Sequence, residues 1–169
     1  VGHGHYDHVS DLPYVAPRLH PDAVVLASQT VGHTFAAVDL GRPIVPVNDA
    51  RASATHPGRW FTVADGRARV LPIQSGHPAQ YGPVHLYTRR LTEDREKPPT
   101  RVGHFQEGET LAFLVDFLNE SDEIAHRVYI ETSSVGLPAG VVPEAVLSEH
   151  PVDVALVAMD IANLEASGE

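Results

Sequence analysis

Four side chains that commonly bind metals or transfer protons lie within the first eight residues of this chain. The stretch HGHYDH holds His3, His5, Asp7 and His8. In an extended segment, residues two apart point to the same side, so His3 and His5 can approach one ion together. Imidazole and carboxylate without thiolate suit zinc, and also iron, manganese or nickel. The stretch therefore predicts a metal site, with a solvated histidine-rich loop or a tag remnant as the alternative.

The composition limits the classes of protein to which this chain can belong. It has 169 residues, 43% of them hydrophobic, which is enough for one domain with a sizeable core. Because there are no cysteines, disulfides, thiolate metal sites and a cysteine nucleophile are excluded. The formal net charge of −10 disfavours a nucleic-acid partner. No apolar run reaches the roughly 18–20 residues that a membrane span needs.

Hydrophobic periodicity and turn residues predict a single layered α/β domain with a mixed sheet over residues 1–169. The predicted helices lie at residues 10–19, 29–39 and 143–147, and the predicted strands at residues 23–27, 43–47, 60–63, 68–71, 110–118, 127–130 and 152–158. Asp65-Gly66 is a favoured turn pair and indicates a hairpin between the third and fourth strands. The last strand is predicted to be buried. Asp116 is predicted at an edge or facing solvent, because a buried carboxylate needs a partner.

The HGHYDH stretch, followed by a predicted helix, resembles the His-x-His-x-Asp-His signature of the metallo-β-lactamase superfamily. The resemblance implies an αββα sandwich, in which two mixed sheets pack face to face with helices outside. It assigns His3 and His5 to a first metal site, and Asp7 and His8 to a second. It also implies a third histidine ligand in a loop after a later strand. His77 matches, because it follows the strand-like VLPI in the turn QSGHP.

Two positions depart from the family pattern. The family places a metal-bridging Asp after a later strand, where this chain offers Ser133 or Ser134, with Glu131 as the nearest carboxylate. The family's last histidine follows the last strand, whereas His150 precedes it here. We therefore expect one tightly bound metal, zinc or alternatively iron or manganese, and a second site that is weak or empty.

Residues 1–169 contain no counterpart of the family's opening strands or of its last histidine. The sandwich is therefore expected to be incomplete at both ends of residues 1–169. We expect an exposed sheet edge or apolar face near residue 1, covered by a second copy of the chain or by further polypeptide. The compartment stays open from sequence, with the cytoplasm favoured.

The resemblance and the ligand types together predict a metal-dependent hydrolase. A metal lowers the pKa of bound water and polarises the scissile carbonyl or phosphoryl oxygen. Asp7 is the predicted catalytic residue, which would orient that water and pass its proton to the leaving group. The expected substrate is a small molecule with an ester, lactone, amide or phosphodiester bond. A non-catalytic metal-binding relative and an iron-dependent oxygen or redox relative are the alternative predictions.

Overall fold

The chain has a mixed α/β fold in the computed structural model, which describes residues 1–80, 83–133 and 138–158. The strands are β1 (Val25–Ala27), β2 (Ile44–Pro46), β3 (Phe61–Val63), β4 (Ala68–Gln74), β5 (Leu111–Leu118), β6 (Ile124–Glu131) and β7 (Val154–Leu156). The α-helices are α1 (Tyr6–Val9), α2 (Leu12–Val15), α3 (Gln29–Phe35) and α4 (Glu144–Glu149). No helix within the described ranges is long and apolar enough to cross a membrane.

The strands form a parallel pair, β1 with β2, and a five-stranded sheet in the order β3-β4-β5-β6-β7. Strands β3 to β6 pair antiparallel, and β7 joins β6 in parallel. An apolar cluster joins the pair to the larger sheet: Val47, Leu111 and Phe113 are buried, and Leu26 and Val70 pack against them. This packing brings the start of β5 close to β1.

The first five residues occupy the space between β1 and the start of β5. The Val1 nitrogen donates to Leu26 O (2.8 Å), and Leu111 N donates to Gly2 O (2.7 Å) on the other side. Residues 2–5 are buried. The expectation of an exposed edge is therefore wrong for these residues, because backbone groups of this chain pair with the segment on both sides.

The helix predicted at residues 10–19 begins earlier and is divided. Helix α1 begins at Tyr6, directly after the extended segment, and α2 is followed by a 3₁₀ turn at Ala16–Arg18. Pro13 lies in the first turn of α2 and Pro17 lies in the 3₁₀ turn. Proline has no N–H to donate within a helix, which explains why the continuous helix is replaced by short turns.

The hairpin predicted around Asp65-Gly66 is confirmed. Strands β3 and β4 pair antiparallel, with Val63 opposite Ala68. Asp65 and Gly66 have φ angles of 51° and 86°. Asp and Gly adopt this left-handed region more readily than other residues, so the turn pair matches the backbone that it forms.

Two predictions of burial are wrong. Strand β7 forms where the last strand is predicted, but its residues are exposed because it lies at the edge of the described sheet and pairs with β6. Asp116 on β5 is fully buried. Its Oδ1 accepts from Arg127 Nε (2.6 Å) and its Oδ2 from Arg69 Nε (2.8 Å). The register places Arg69 and Arg127 directly opposite Asp116 on the two neighbouring strands, so each strand supplies a guanidinium.

Replacement of Asp116 by alanine should lower the free energy of unfolding by roughly 3–5 kcal/mol, because Arg127 would remain fully buried without its carboxylate. Denaturant titration measures the loss. Glu149→Gln is the control, since Glu149 is a half-exposed partner of Arg69 and Arg127. This substitution should lower the free energy of unfolding by about 1 kcal/mol or less. Similar losses in the two variants would contradict the assignment.

Candidate metal centre

An extended backbone carries the first two histidines into the interior. His3 is fully buried and His5 is 6% exposed. The segment passes so close to its neighbours that a Cβ at Gly2 would overlap Thr132 Oγ1, and one at Gly4 would overlap a main-chain oxygen of the loop before β5. Glycine is therefore required at both positions for the histidines to reach this depth.

His77 joins these two histidines from the loop after β4. One nitrogen from each of His3, His5 and His77 lies within 4.8 Å of the other two. The ring centroids are 4.6 Å apart for His3 and His77, 4.7 Å for His5 and His77, and 4.8 Å for His3 and His5. The fold thus brings together the three histidines that the resemblance assigns to the first metal site, and this group can hold a metal ion.

Two carbonyl groups fix the protons of His5 and His77. His5 Nε2 lies 3.1 Å from Leu86 O, and His77 Nδ1 lies 2.6 Å from Pro78 O. A carbonyl oxygen only accepts, so both contacts favour the tautomer with the proton on that nitrogen. At His77 Nδ1 the Pro78 contact is the shorter of two, since the amide nitrogen of Gln80 lies 3.4 Å away. In these tautomers the free nitrogens, His5 Nδ1 and His77 Nε2, face each other at 3.4 Å, and a metal ion between them would satisfy both lone pairs.

The separation of these nitrogens fits tetrahedral zinc. Two nitrogens at 2.0–2.1 Å from a tetrahedral ion lie roughly 3.3–3.4 Å apart, and His5 Nδ1 and His77 Nε2 are 3.4 Å apart. Among the described residues, neither buried nitrogen of His3 has a hydrogen-bond partner. Such an unpartnered buried group is rare because it is costly. A metal ion would supply the missing partner, so the residues present fit a metal.

Burial keeps these histidines in the form that binds metals. Burial, together with the smaller effects of the charges of His8, His77 and His5, lowers the pKa of His3 from 6.5 to about 2. Burial also lowers the pKa of His5 and the pKa of His8. Because a metal binds neutral imidazole, protons do not compete for these sites at neutral pH.

Asp7 and His8 lie on α1, outside the three-histidine group. The His8 ring packs on His3, with centroids 4.0 Å apart. The Asp7 side chain is 77% exposed, and its Oδ2 lies 3.6 Å from His8 Nε2. Helix α1 begins directly after His5, and this turn of the chain directs Asp7 to the surface.

The stretch expected to supply a bridging carboxylate supplies none to the three-histidine group of the described residues. Ser133 is 6% exposed, and Ser134 lies outside those residues. Glu131 ends β6, and its Oε1 lies beside Gly140. His150 follows the C-terminal end of α4.

The groups that surround the histidines are the part of the site that sequence reasoning missed. Leu86 and Pro78 act through main-chain carbonyls, which leave no signal in the side-chain pattern. The charge of Glu107 favours the protonated form of His5 and opposes the effect of burial on the pKa of that group. Its place in the stretch FQEGET carries no spacing relation to the histidines that would have identified it.

In metal-free buffer, the free energy of unfolding should fall as the pH decreases from 7 to 5. The unfolded chain protonates His3 near pH 6.5, whereas the folded chain does not do so until about pH 2. One such group gives a slope of at most about 1.4 kcal/mol per pH unit. Denaturation of His3→Gln should show a smaller slope than the parent chain, with His20→Gln as an exposed control. Identical slopes for His3→Gln and the parent would contradict the assigned burial.

The centre consists of three histidines, and one of them, His3, is buried without a hydrogen-bond partner among the described residues. Comparisons of the chain with protein-family models, with curated proteins and with solved structures found no match.

Proposed function

We propose that this chain is a metal-dependent hydrolase of the metallo-β-lactamase type, in which His3, His5 and His77 hold a zinc ion. The observation that carries the proposal is the convergence of three histidines, in which His5 Nδ1 and His77 Nε2 face each other at 3.4 Å, the separation of tetrahedral ligands. The nitrogens of His3, which are buried and have no hydrogen-bond partner among the residues that the structure describes, also support it. The apolar cluster between the β1–β2 pair and the five-stranded sheet supports the αββα sandwich.

The residues around the ion divide the work of hydrolysis. Bound zinc would supply a Lewis acid that lowers the pKa of a water molecule and polarises the scissile bond. Leu86 and Pro78 hold the rings of His5 and His77 in the orientation that presents their free nitrogens. Burial of His3 and His5 restricts the approach of bulk water from the interior side of the three histidines.

Asp7 is the proposed proton carrier. Its Oδ2 lies 3.6 Å from His8 Nε2, and the His8 ring packs on His3 with centroids 4.0 Å apart, which places the carboxylate beside the centre. The side chain of Asp7 is 77% exposed, which supports proton exchange with solvent. The net charge of −10 favours a small-molecule substrate over a nucleic acid.

A non-catalytic metal-binding role is the second candidate. It is favoured by Ser133, which replaces a bridging carboxylate, and by the outward position of Asp7. The two candidates share the metal centre and differ only in turnover.

Zinc should bind the purified chain at one tight equivalent, measured by competition with a chromophoric chelator. His77→Ala should weaken binding by more than the 10–100-fold typical of outer-shell losses, because it removes a ligand. His20→Ala, an exposed histidine elsewhere, should leave affinity unchanged. Equal affinities of the parent and His77→Ala would contradict the centre.

Turnover separates the two candidate functions. The zinc-loaded chain should hydrolyse at least one member of a panel of generic esters, lactones, amides and phosphodiesters, and a chelator should abolish this activity. Asp7→Asn should lower kcat by about 10²–10⁴-fold, the usual contribution of a general base. Tight zinc binding without turnover on any member would favour the non-catalytic role.

A second equivalent of metal should bind weakly, since a serine hydroxyl at position 133 is neutral and a poor ligand. Ser133→Asp should strengthen the second equivalent in a calorimetric titration with zinc. Ser148→Asp adds the same charge on the exposed face of α4 and should change nothing. Two equally tight equivalents in the parent chain would contradict the single-metal account.

A further inference from the structure

Tyr87 has a backbone conformation that is unusual for an aromatic residue. Its φ angle is +54°, in the left-handed region that L-residues with a Cβ seldom occupy. Residues held there persist when the surrounding structure over-determines them, and they concentrate at ligand-binding sites. The tyrosine ring is 43% exposed and therefore does not impose this conformation by burial.

The hydrogen bonds on either side of Tyr87 show what holds the backbone. Leu86 N donates to Gln80 Oε1 (2.9 Å), and Leu86 O accepts from His5 Nε2 (3.1 Å). Tyr87 O accepts from Glu107 N (2.7 Å). The φ angle of Tyr87 sets the orientation of the Leu86 carbonyl relative to the Tyr87 carbonyl, and at +54° both carbonyls meet their partners.

The contact between Leu86 and His5 determines which nitrogen of His5 is free. While Leu86 O accepts from Nε2, the free nitrogen is Nδ1, which faces His77 Nε2 at 3.4 Å. Without that acceptor, the proton of His5 can move to Nδ1, and the nitrogen that faces His77 is then blocked. The orientation of one peptide group therefore controls whether His5 can act as a ligand.

We propose that Tyr87 and Gln80 are positioning residues of the metal centre: the left-handed backbone at Tyr87 and the amide of Gln80 hold the Leu86 carbonyl on His5 Nε2. Tyr87 acts through its backbone. Gln80 acts through its side-chain oxygen on Leu86 N, and its amide nitrogen also lies 3.4 Å from His77 Nδ1. The inference rests on the proposed metal site and does not depend on hydrolysis.

Two substitutions at Tyr87 separate the backbone from the ring. Glycine accepts a positive φ and valine does not, while both remove the ring. Zinc affinity of Tyr87→Val should fall by about 10–100-fold, the usual effect of losing an outer-shell partner, whereas Tyr87→Gly should stay close to the parent. If zinc affinity falls equally in both variants, the effect comes from the loss of the ring and not from the backbone. If it falls in neither, Tyr87 has no positioning role.

Two substitutions at Gln80 test whether its side-chain oxygen positions Leu86. Gln80→Glu keeps an oxygen that can accept from Leu86 N, and Gln80→Leu removes it at similar volume. Both variants lose the amide nitrogen that lies 3.4 Å from His77 Nδ1, so the difference between them reports on the contact with Leu86 N. Leucine should weaken zinc binding by about tenfold or more, and glutamate should retain it. Parental affinity in Gln80→Leu would overturn the role of Gln80. This pair keeps the proposal testable if Tyr87→Val does not fold.

The tautomer of His5 supplies a readout that needs no metal. Long-range ¹H–¹⁵N NMR of the apo chain should show the proton on Nε2 in the parent and in Tyr87→Gly, and a shift towards Nδ1 in Tyr87→Val and Gln80→Leu. If the parent chain binds no zinc but the tautomer still responds in this way, the proposed metal site fails and the positioning device stands. An unchanged tautomer in both Tyr87→Val and Gln80→Leu overturns the inference.

Discussion

Two carbonyl groups, Leu86 O and Pro78 O, determine what the histidine centre can do. Each accepts a hydrogen bond from one imidazole and so favours the tautomer in which the opposite nitrogen is free, and these nitrogens, His5 Nδ1 and His77 Nε2, lie 3.4 Å apart. Burial keeps the third ring, His3, neutral as well. Main-chain geometry around three side chains thus favours a bound metal ion.

The fold brings the three histidines together from distant parts of the chain at one end of the sheet. The N-terminal segment reaches it because Gly2 and Gly4 allow close backbone contact, and His77 reaches it because β4 ends beside the start of β5. Further along the same strands, Asp116 receives Arg69 and Arg127 from both neighbours. Strand register therefore matches the buried ionic groups of the sheet, whereas the histidines come together from a loop and the N-terminal segment.

The sequence was sufficient for the parts of the site that depend on local spacing. His3 and His5 lie on the same side of an extended segment, which local spacing predicted. His77 was predicted only from the resemblance to the metallo-β-lactamase superfamily, which implies a third ligand in a loop after a later strand. Partners supplied by other strands could not be predicted: Asp116 looked like a surface carboxylate, because nothing local shows that Arg69 and Arg127 stand opposite it. The left-handed turn at Tyr87 was equally inaccessible, because no local pattern places an aromatic residue there.

The central claim is that three imidazoles of this chain surround one metal ion, and zinc K-edge X-ray absorption of the 1:1 complex tests it most directly. The account predicts three imidazole nitrogens at 2.0–2.1 Å, with the fourth position held by an oxygen ligand. It also predicts the loss of one imidazole in His77→Ala. A coordination shell of oxygens, or one that His77→Ala leaves unchanged, would contradict the account.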